Sequence, residues 1–194
     1  MAESSINNKY RLLIIGGSAG SLEVLIQLLP SIRQDLGVAI VIILHRKNVE
    51  SYLPDLLSEK ASWPVKEAEE KEPILPGMIY LAPPDYHLLI EKDETFSLDY
   101  SEKVHYSRPA IDVTFEAAAE VYGFSSIGVL LSGANADGTE GIIKIKEAGG
   151  LTIVQDPAEA TVSYMPQQAI KSLEVDYILN TKQMIDVINN LNRM

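Results

Sequence analysis

The sequence contains no cysteine, which excludes several kinds of chemistry at once. Disulfide bonds, thiolate metal sites and cysteine nucleophiles all need a sulfhydryl group. The longest apolar run, residues 38–44, has seven residues, whereas a helix that spans a bilayer needs roughly 20. We therefore expect no direct insertion into a membrane. A chain without cysteine is compatible with a reducing compartment, and we predict a cytoplasmic location.

Positive charge is also scarce, with 16 Lys and Arg against 27 Asp and Glu, so that the formal net charge is −11. A nucleic-acid-binding surface normally carries a basic patch, and we therefore expect no nucleic acid partner. Histidine occurs only three times, which limits the candidates for a general base. The length favours one domain. We predict a flexible tail over 1–10 and a single domain over 11–194.

Apolar runs of strand length alternate with segments of helical spacing. The runs contain few polar residues, which is typical of strands buried on both faces. Strands that alternate with helices at this spacing form right-handed βαβ units and a mainly parallel sheet, so the sequence predicts an α/β fold. The predicted strands are 12–15, 38–44, 78–81, 127–131 and 151–154, and the predicted helices are 22–29, 111–122, 137–148 and a last one from about 181.

The middle of the chain, residues 62–109, is rich in proline, tyrosine and charge. Two short strand-like pieces, 86–90 and 95–99, are separated by polar residues at 92–94. This pattern is typical of an antiparallel hairpin. We predict a small β-hairpin insertion at about 86–100 within the same domain.

A glycine-rich segment, Gly16-Gly17-Ser18-Ala19-Gly20, connects the first predicted strand to the first predicted helix. Its glycines lack the G-x-G-x-x-G spacing and no lysine follows, so a dinucleotide or phosphate site is the weaker interpretation. The pattern G-x-S-x-G does fit, because small residues around a serine allow a sharp turn that lifts its hydroxyl above the sheet. Ser18 is therefore a candidate nucleophile, and a helix N-cap is the alternative role.

A nucleophilic serine needs a general base and an acid that orients the base. His45 directly follows the second predicted strand, and Asp137 follows the fourth in a glycine-rich turn. Ligand sites of open parallel sheets lie beyond the carboxyl ends of the strands. We therefore expect Ser18, His45 and Asp137 to meet there as a triad, although Asp137 has a helix N-cap as an equal alternative. We interpret His87 and His105 as solvated loop histidines.

Six separated motifs together resemble one known family. They are IGGSAG at the candidate nucleophile, a strand ending in LHR, LPGMIYLAPPDYHL, SRPAIDVTF, LLSGANADGTEGI and AGGLTIVQDPAEATVSYMPQQAI. With these blocks in this order, the sequence resembles the catalytic domain of the chemotaxis protein-glutamate methylesterases (CheB-type) over about residues 11–192.

The resemblance implies a Rossmann-like, doubly wound sheet flanked by helices, with a small antiparallel hairpin. It places the family's triad on Ser18, His45 and Asp137. The family hydrolyses glutamate methyl esters on methyl-accepting chemoreceptors, releasing methanol, and many members also deamidate receptor glutamines. We accordingly expect the cytoplasmic helices of methylated chemoreceptors as partners, and neither a metal nor an organic cofactor.

The mechanism that the resemblance implies also needs an oxyanion hole and contacts to the substrate. We expect the backbone N–H groups of Ala19 and Ala134 to stabilise the oxyanion. Arg108 and Met165 are predicted to contact the substrate. Arg108 would guide its acidic surface, and an exposed loop arginine without such a role is the alternative.

The sequence departs from the family pattern in several respects, which include Tyr164 and Ser21 at positions where the family commonly has glycine. Family members usually carry a phospho-accepting receiver domain before the catalytic domain, whereas only about ten residues precede the first predicted strand here. We therefore expect that a separate receiver or methyltransferase protein acts as a further partner. The loop before Asp137 reads Gly133-Ala134-Asn135, where the family commonly has Gly-Met-Gly. The alternative function is a non-catalytic signalling module that retains the fold.

Overall fold

The computed structural model describes residues 9–46 and 52–192. The strands in these residues are short and mostly apolar. They are β1 (Leu12–Gly17), β2 (Ala39–Leu44), β3 (Val65–Glu67), β4 (Ile79–Leu81), β5 (His87–Ile90), β6 (Phe96–Asp99), β7 (Ser126–Leu130), β8 (Leu151–Gln155) and β9 (Tyr177–Leu179). Seven of them form a sheet in the order β3-β4-β2-β1-β7-β8-β9, and every neighbouring pair in it is parallel.

Helices connect the strands and cover both faces of the sheet. They are α1 (Ser21–Leu28), α2 (Leu53–Lys60), α3 (Ile111–Tyr122), α4 (Thr139–Glu147), α5 (Tyr164–Ser172) and α6 (Thr181–Asn190). Helices α1, α2 and α6 pack on one face, and α3, α4 and α5 pack on the other. Among the described residues, no helix combines the length and the apolarity that crossing a membrane would need.

The central strand β1 shows why the sequence forms a sheet with two covered faces. Its residues alternate in direction, as they must in a strand. Leu13 and Ile15 pack in the core under α1, whereas Leu12 and Ile14 pack in the core under α3, and all four are fully buried. Burial of one such side chain stabilises the fold by about 1.5–3 kcal/mol. An apolar run without polar interruption is therefore what a two-sided core requires.

The hairpin lies outside the main sheet. Strands β5 and β6 pair antiparallel, with His87 opposite Asp99 and Ile90 opposite Phe96. Leu88 and Phe96 bury their side chains in the core that also contains Phe115 of α3. The hairpin therefore packs against α3, and the N-terminus of α3 forms part of the candidate site.

The structure confirms the predicted α/β, doubly wound fold and the antiparallel hairpin. The five predicted strands correspond to β1, β2, β4, β7 and β8, and the four predicted helices to α1, α3, α4 and α6. Helices α2 and α5 and strands β3 and β9 were not predicted from the sequence. Of the two strands, β3 reads Val-Lys-Glu and has no apolar run, whereas β9 has three residues, of which the first two are exposed.

The predicted N-terminal tail falls mostly on residues 1–8, which lie outside the described residues. At its end, the backbone N–H of Tyr10 donates to Asn192 Oδ1 at 2.9 Å, and Asn192 Nδ2 donates back to the Tyr10 carbonyl at 2.9 Å. The division into a flexible tail and one domain stays a prediction.

Candidate active site

The candidate residues follow three neighbouring strands at the carboxyl edge of the sheet. Gly17 of β1 is in register with Leu44 of β2, so Ser18 and His45 emerge side by side, and the His45 N–H donates to the Gly17 carbonyl at 3.2 Å. Strand β7 lies on the other side of β1 and leads to Asp137. Between β1 and β7 the chain order of the sheet reverses, which is where open α/β sheets form ligand sites.

Hydrogen bonds hold the serine turn in a fixed conformation. The Ser18 N–H donates to the Ser132 carbonyl at 2.8 Å, and Ser132 Oγ donates to the Ala19 carbonyl at 2.6 Å. Ser21 Oγ donates to the Ser18 carbonyl at 2.5 Å. Gly20 has a φ of +84°, and a Cβ there would lie 2.5 Å from Thr161 Cβ. A side chain at position 20 is therefore excluded by conformation and by space.

The Ser18 hydroxyl is unpaired among the described residues. Ser18 is half-buried, and its Oγ forms no hydrogen bond with any residue that the structure describes. Within the same part of the chain, no hydrogen bond leaves the backbone N–H of Ala19 or that of Ala134, and both residues are exposed. Unpaired N–H groups beside a serine are the donors that an oxyanion hole needs.

The loop after β7 lies close against Ser18. A Cβ on Gly133 would be 3.1 Å from Ser18 Cβ and 2.4 Å from Met165 Cε. The Gly133 N–H is already bonded to the Val162 carbonyl at 3.0 Å, and the Gly133 carbonyl accepts from the Met165 N–H at 3.0 Å. The Met165 side chain is fully buried, so here it supports this loop. Its predicted contact with a substrate stays a prediction.

His45 and Asp137 form the central contact of the site. His45 Nε2 lies 2.6 Å from Asp137 Oδ2; the His45 side chain is 12% exposed and that of Asp137 is 0% exposed. The other ring nitrogen of His45, Nδ1, has no hydrogen-bond partner among the described residues. An imidazole bonded to a carboxylate through one nitrogen can accept a proton on the other.

The N-terminus of α3 binds the Asp137 carboxylate. Oδ2 accepts the Ile111 N–H at 2.7 Å and Oδ1 accepts the Asp112 N–H at 2.9 Å, while the residue at the N-cap, Ala110, supplies no side-chain cap. Burial opposes the charge of Asp137, but the bonds from His45 and from these two N–H groups outweigh it and lower the pKa of Asp137. The aspartate is thus held as an anion beside His45, and it caps α3 rather than its own helix α4.

Asp112 is a second buried carboxyl group beside Asp137, and it was not among the predicted site residues. Its Oδ1 accepts the Gly141 N–H of α4 at 2.7 Å, and its residue is 4% exposed. Burial and the neighbouring charge of Asp137 raise the pKa of Asp112 to about 7, against the effects of the Gly141 N–H and of His105. A polar residue within the buried stripe of α3 is the sequence signal that could have revealed it.

His87 and His105 differ in the structure. His105 is exposed, as expected, but His87 is buried at 1% exposure, so the interpretation of His87 as a solvated loop histidine was wrong. Its Nε2 lies 2.9 Å from the Glu102 carbonyl, and its Nδ1 accepts the Ala110 N–H at 3.2 Å. These bonds join the hairpin to the start of α3, which explains the burial of a polar ring.

Arg108 lies beside the candidate site but is held by its own surroundings. A cavity of about 490 Å³ is lined by His45, Lys103 and Arg108, among other residues. Nη1 of Arg108 donates to the carbonyls of Tyr100 at 3.2 Å and Ser101 at 2.6 Å, and its guanidinium lies 3.8 Å from the centroid of the Tyr100 ring. The side chain is therefore preorganised at the rim of the cavity. Its contact with a substrate stays a prediction.

The fold and these side chains define a class of protein. It is a doubly wound α/β protein that carries a serine, a histidine and a buried aspartate on the carboxyl edge of its sheet, the residue types of serine hydrolases. The family model described as CheB methylesterase matches residues 13–188. The chain belongs to the CheB methylesterase family, a family of hydrolytic enzymes.

Individual relatives agree with this assignment. A protein of Leptospira interrogans (serogroup Icterohaemorrhagiae serovar copenhageni, strain Fiocruz L1-130) is 46% identical over 187 residues, which is 95% of this chain and 96% of that protein. The protein-glutamate methylesterase/protein-glutamine glutaminase of Thermotoga maritima is 35% identical over 173 residues, which is 87% of this chain but 50% of that protein. The crystal structure of the Thermotoga maritima CheB methylesterase catalytic domain matches with a TM-score of 0.89 and 33% identity, and the match covers 94% of this chain and 98% of that one.

Proposed function

We propose that the protein is a serine esterase that hydrolyses glutamate methyl esters on chemoreceptors through Ser18, His45 and Asp137. The observation that carries the proposal is the 2.6 Å contact between His45 Nε2 and Asp137 Oδ2, next to a half-buried serine whose hydroxyl has no other partner in the described residues. Membership of the family and the names of its relatives support an ester with a glutamyl acyl group as the substrate.

His45 acts through Nδ1 in this mechanism. Because Nε2 is bonded to Asp137, Nδ1 is the nitrogen that remains to accept the proton of Ser18 Oγ. The oxygen then attacks the ester carbonyl, and the tetrahedral intermediate collapses as Nδ1 returns the proton to the departing methoxide. Methanol leaves, and an acyl-enzyme on Ser18 remains. A water molecule, deprotonated by the same nitrogen, attacks that acyl-enzyme; Nδ1 returns the proton to Ser18 Oγ, and the product is a glutamate carboxylate on the receptor.

The oxyanion of both intermediates is stabilised by the backbone N–H groups of Ala19 and Ala134. These groups have no competing acceptor among the described residues. A Cβ on Gly133 would lie 3.1 Å from Ser18 Cβ, and this close approach supports the next residue, Ala134, as the second donor. Removal of one oxyanion-hole donor typically costs 10²–10³ in rate, on the order of 3–4 kcal/mol. A backbone donor does not depend on the side chain, so alanine serves in place of the family's more common methionine.

Asp137 stabilises the imidazolium form of His45 by its negative charge. Its carboxylate remains ionised because three N–H donors, one from His45 and two from α3, lower its pKa despite burial. The helix N-terminus adds a favourable electrostatic contribution of its own. The same groups fix the orientation of the carboxylate and therefore of the ring.

The substrate is the acidic, methylated helix of a chemoreceptor cytoplasmic domain. Arg108 and Lys103 line the cavity beside His45 and supply positive charge in a chain whose formal net charge is −11. The same acyl-enzyme forms from a glutamine side chain when ammonia leaves instead of methanol, so deamidation needs no further catalytic group. We propose that the protein acts in the cytoplasm and that a separate receiver or methyltransferase protein is a further partner.

A serine-directed fluorophosphonate probe and a methanol-release assay test this function together. We expect the probe to label the wild type at Ser18, and we expect Ser18→Ala to lose labelling and roughly 10⁴–10⁶ of the rate of methanol release from methylated receptor. Ser31→Ala is the matched control, because Ser31 is exposed after α1 and remote from the site. An unlabelled Ser18, or undiminished methanol release by Ser18→Ala, would contradict the proposal and favour the non-catalytic signalling module.

A further inference from the structure

A cluster beside the triad contains more acceptor groups than its surroundings satisfy. It consists of His105, Asp112 and Asp137, and one ligand atom of each lies within 4.8 Å of the others. Asp112 Oδ2 is buried and forms no hydrogen bond within the described part of the chain. Buried carboxylate oxygens without a partner are rare because desolvation of the charge is costly. The oxygen has an imidazole, that of His105, as an electrostatic neighbour but no hydrogen-bond donor.

The contact between His105 and Asp112 has the spacing of two metal ligands. His105 Nε2 lies 3.2 Å from Asp112 Oδ2, but its direction is not that of a hydrogen bond, since the oxygen has no such partner. A tetrahedral zinc ion binds imidazole nitrogen and carboxylate oxygen at 2.0–2.2 Å, which sets two such ligand atoms about 3.4 Å apart. The separation of 3.2 Å between His105 Nε2 and Asp112 Oδ2 is close to this ligand-to-ligand distance.

The third ligand is available on Asp137. Its Oδ1 accepts only the Asp112 N–H, and a carboxylate oxygen has two lone pairs. The His105 side chain is 45% exposed, which leaves a route for an ion and room for a water molecule in a fourth position. His105 and Tyr106 both have positive φ in the tight turn that joins Val104 to Ser107, and this turn presents the His105 ring toward α3.

We propose that His105, Asp112 and Asp137 form a binding site for a zinc-type divalent cation, with water as the fourth ligand. One imidazole and two carboxylates suit zinc, whereas magnesium prefers an octahedral set of oxygens. Because the ion shares Asp137 with His45, its charge opposes the stabilisation of the His45 imidazolium. Bound zinc therefore slows the esterase, and this consequence, unlike binding, rests on the proposed function.

Calorimetric titration of the full chain with zinc chloride tests the site without any measurement of activity. We expect one zinc ion per chain for the wild type and at least tenfold weaker binding for His105→Ala and Asp112→Asn. Glu102→Gln is the matched control, because it removes a neighbouring carboxylate outside the cluster and should bind as the wild type does. Magnesium chloride should give no binding. Thermal melting establishes that each variant is folded, and exposed His105 tolerates truncation best.

Three results of the titration would overturn the site: no zinc binding by the wild type, wild-type affinity in His105→Ala, or equal weakening in Glu102→Gln. The first would mean that Asp112 holds a proton rather than a metal ion. In a separate assay of methanol release, one equivalent of zinc should lower the rate of the wild type at least tenfold relative to its zinc-free rate. Tight binding with an unchanged rate removes Asp137 from the ligand set and overturns the three-residue site. Absence of any esterase activity would contradict the proposed function alone, since the titration would still decide the zinc site.

Discussion

The two halves of the candidate site are built in different ways. The serine side, from Gly16 to Ser21, is held by backbone carbonyls and neutral hydroxyls, and its reactive oxygen forms no hydrogen bond in the described structure. The acid side is held by charge. Asp137 is fully buried, accepts three N–H donors and lies beside a second buried carboxyl group, Asp112.

This difference separates catalysis from stability. The Ser18 hydroxyl, the proposed nucleophile, contributes no hydrogen bond to the described fold. Asp137 caps α3, and Asp112 of α3 in turn accepts the Gly141 N–H of α4. The acid side therefore joins two helix N-termini as well as orienting His45. Replacement of Ser18 itself should affect the rate alone, whereas a substitution on the acid side should affect both rate and unfolding free energy.

Replacement of Asp137 by Asn gives the largest effect that tests this contrast. The amide cannot accept from all three donors, and a neutral group no longer stabilises the imidazolium, so we expect a rate loss on the order of 10⁴. The unpaired N–H groups should cost roughly 1–3 kcal/mol of unfolding free energy, reduced by relief of repulsion with Asp112. Urea unfolding should show this loss for Asp137→Asn and almost none for Ser18→Ala. Equal losses of unfolding free energy in the two variants would show that the serine side and the acid side do not differ in their contribution to stability.

Gly133→Ala tests how closely the two halves meet. The added Cβ would lie 2.4 Å from Met165 Cε and 3.1 Å from Ser18 Cβ, so the loop that carries Ala134 must shift. Because displacement by about 1 Å can cost on the order of 10² in rate, we expect a loss of that size in methanol release. Gly77→Ala is the control: its Cβ meets nothing within 4 Å, and only its φ of +81° is strained. A similar rate loss in the control would contradict the steric explanation.

Ser132→Ala tests the neutral scaffold of the serine side. It removes the hydroxyl that donates to the Ala19 carbonyl and accepts the Val162 N–H at 2.9 Å. We expect a loss of about 1–2 kcal/mol in unfolding free energy and roughly tenfold in rate. Ser125→Ala is the matched control, since Ser125 Oγ donates to the Tyr122 carbonyl before the opposite end of β7. Ser125→Ala should lose unfolding free energy and keep its rate. A rate loss in Ser125→Ala but not in Ser132→Ala would contradict the role of Ser132 in supporting the serine turn.

Asp176→Asn should give the smallest effect, because it removes a carboxylate that is far from the chemistry. Burial opposes the charge of Asp176, but bonds from Lys146 and Thr152 outweigh it and lower its pKa below the ordinary 3.8. The stability it contributes is therefore present above that ordinary value and is lost as the pH falls through the lower folded-state value. We expect Asp176→Asn to lose about 1 kcal/mol at neutral pH, with an unchanged rate.

Urea unfolding at neutral pH and in acid checks this sign. The difference in stability between the wild type and Asp176→Asn should shrink in acid, when the wild-type carboxylate is protonated. A difference that grows as the pH falls would show that the carboxylate is not held as an anion. An altered rate at neutral pH would show that the carboxylate network reaches the site.

Local motifs explain why the serine side was predictable. Gly20 is required by the turn itself, and Ser18 and His45 directly follow β1 and β2, so residue type and position sufficed to predict that the two residues meet at the carboxyl edge of the sheet. Asp112 was missed because it lies inside a helical segment, where its neighbourhood depends on Asp137, 25 residues away along the chain. His87 was misinterpreted for the same reason: its partners, Glu102 and Ala110, are brought to it by the folding of the hairpin onto α3.

The sequence by itself determined the alternation of strands and helices, the position of the glycine-rich turn and the residue types that follow each strand. These features depend on apolar periodicity and on backbone conformation, which are local properties of the chain. Only the tertiary structure decided that Asp137 caps α3, that Asp112 is buried beside it, and that His105 reaches both. The physical reason is that burial and electrostatic pairing depend on which segments meet in space, and parallel strand order sets those meetings over long separations in sequence.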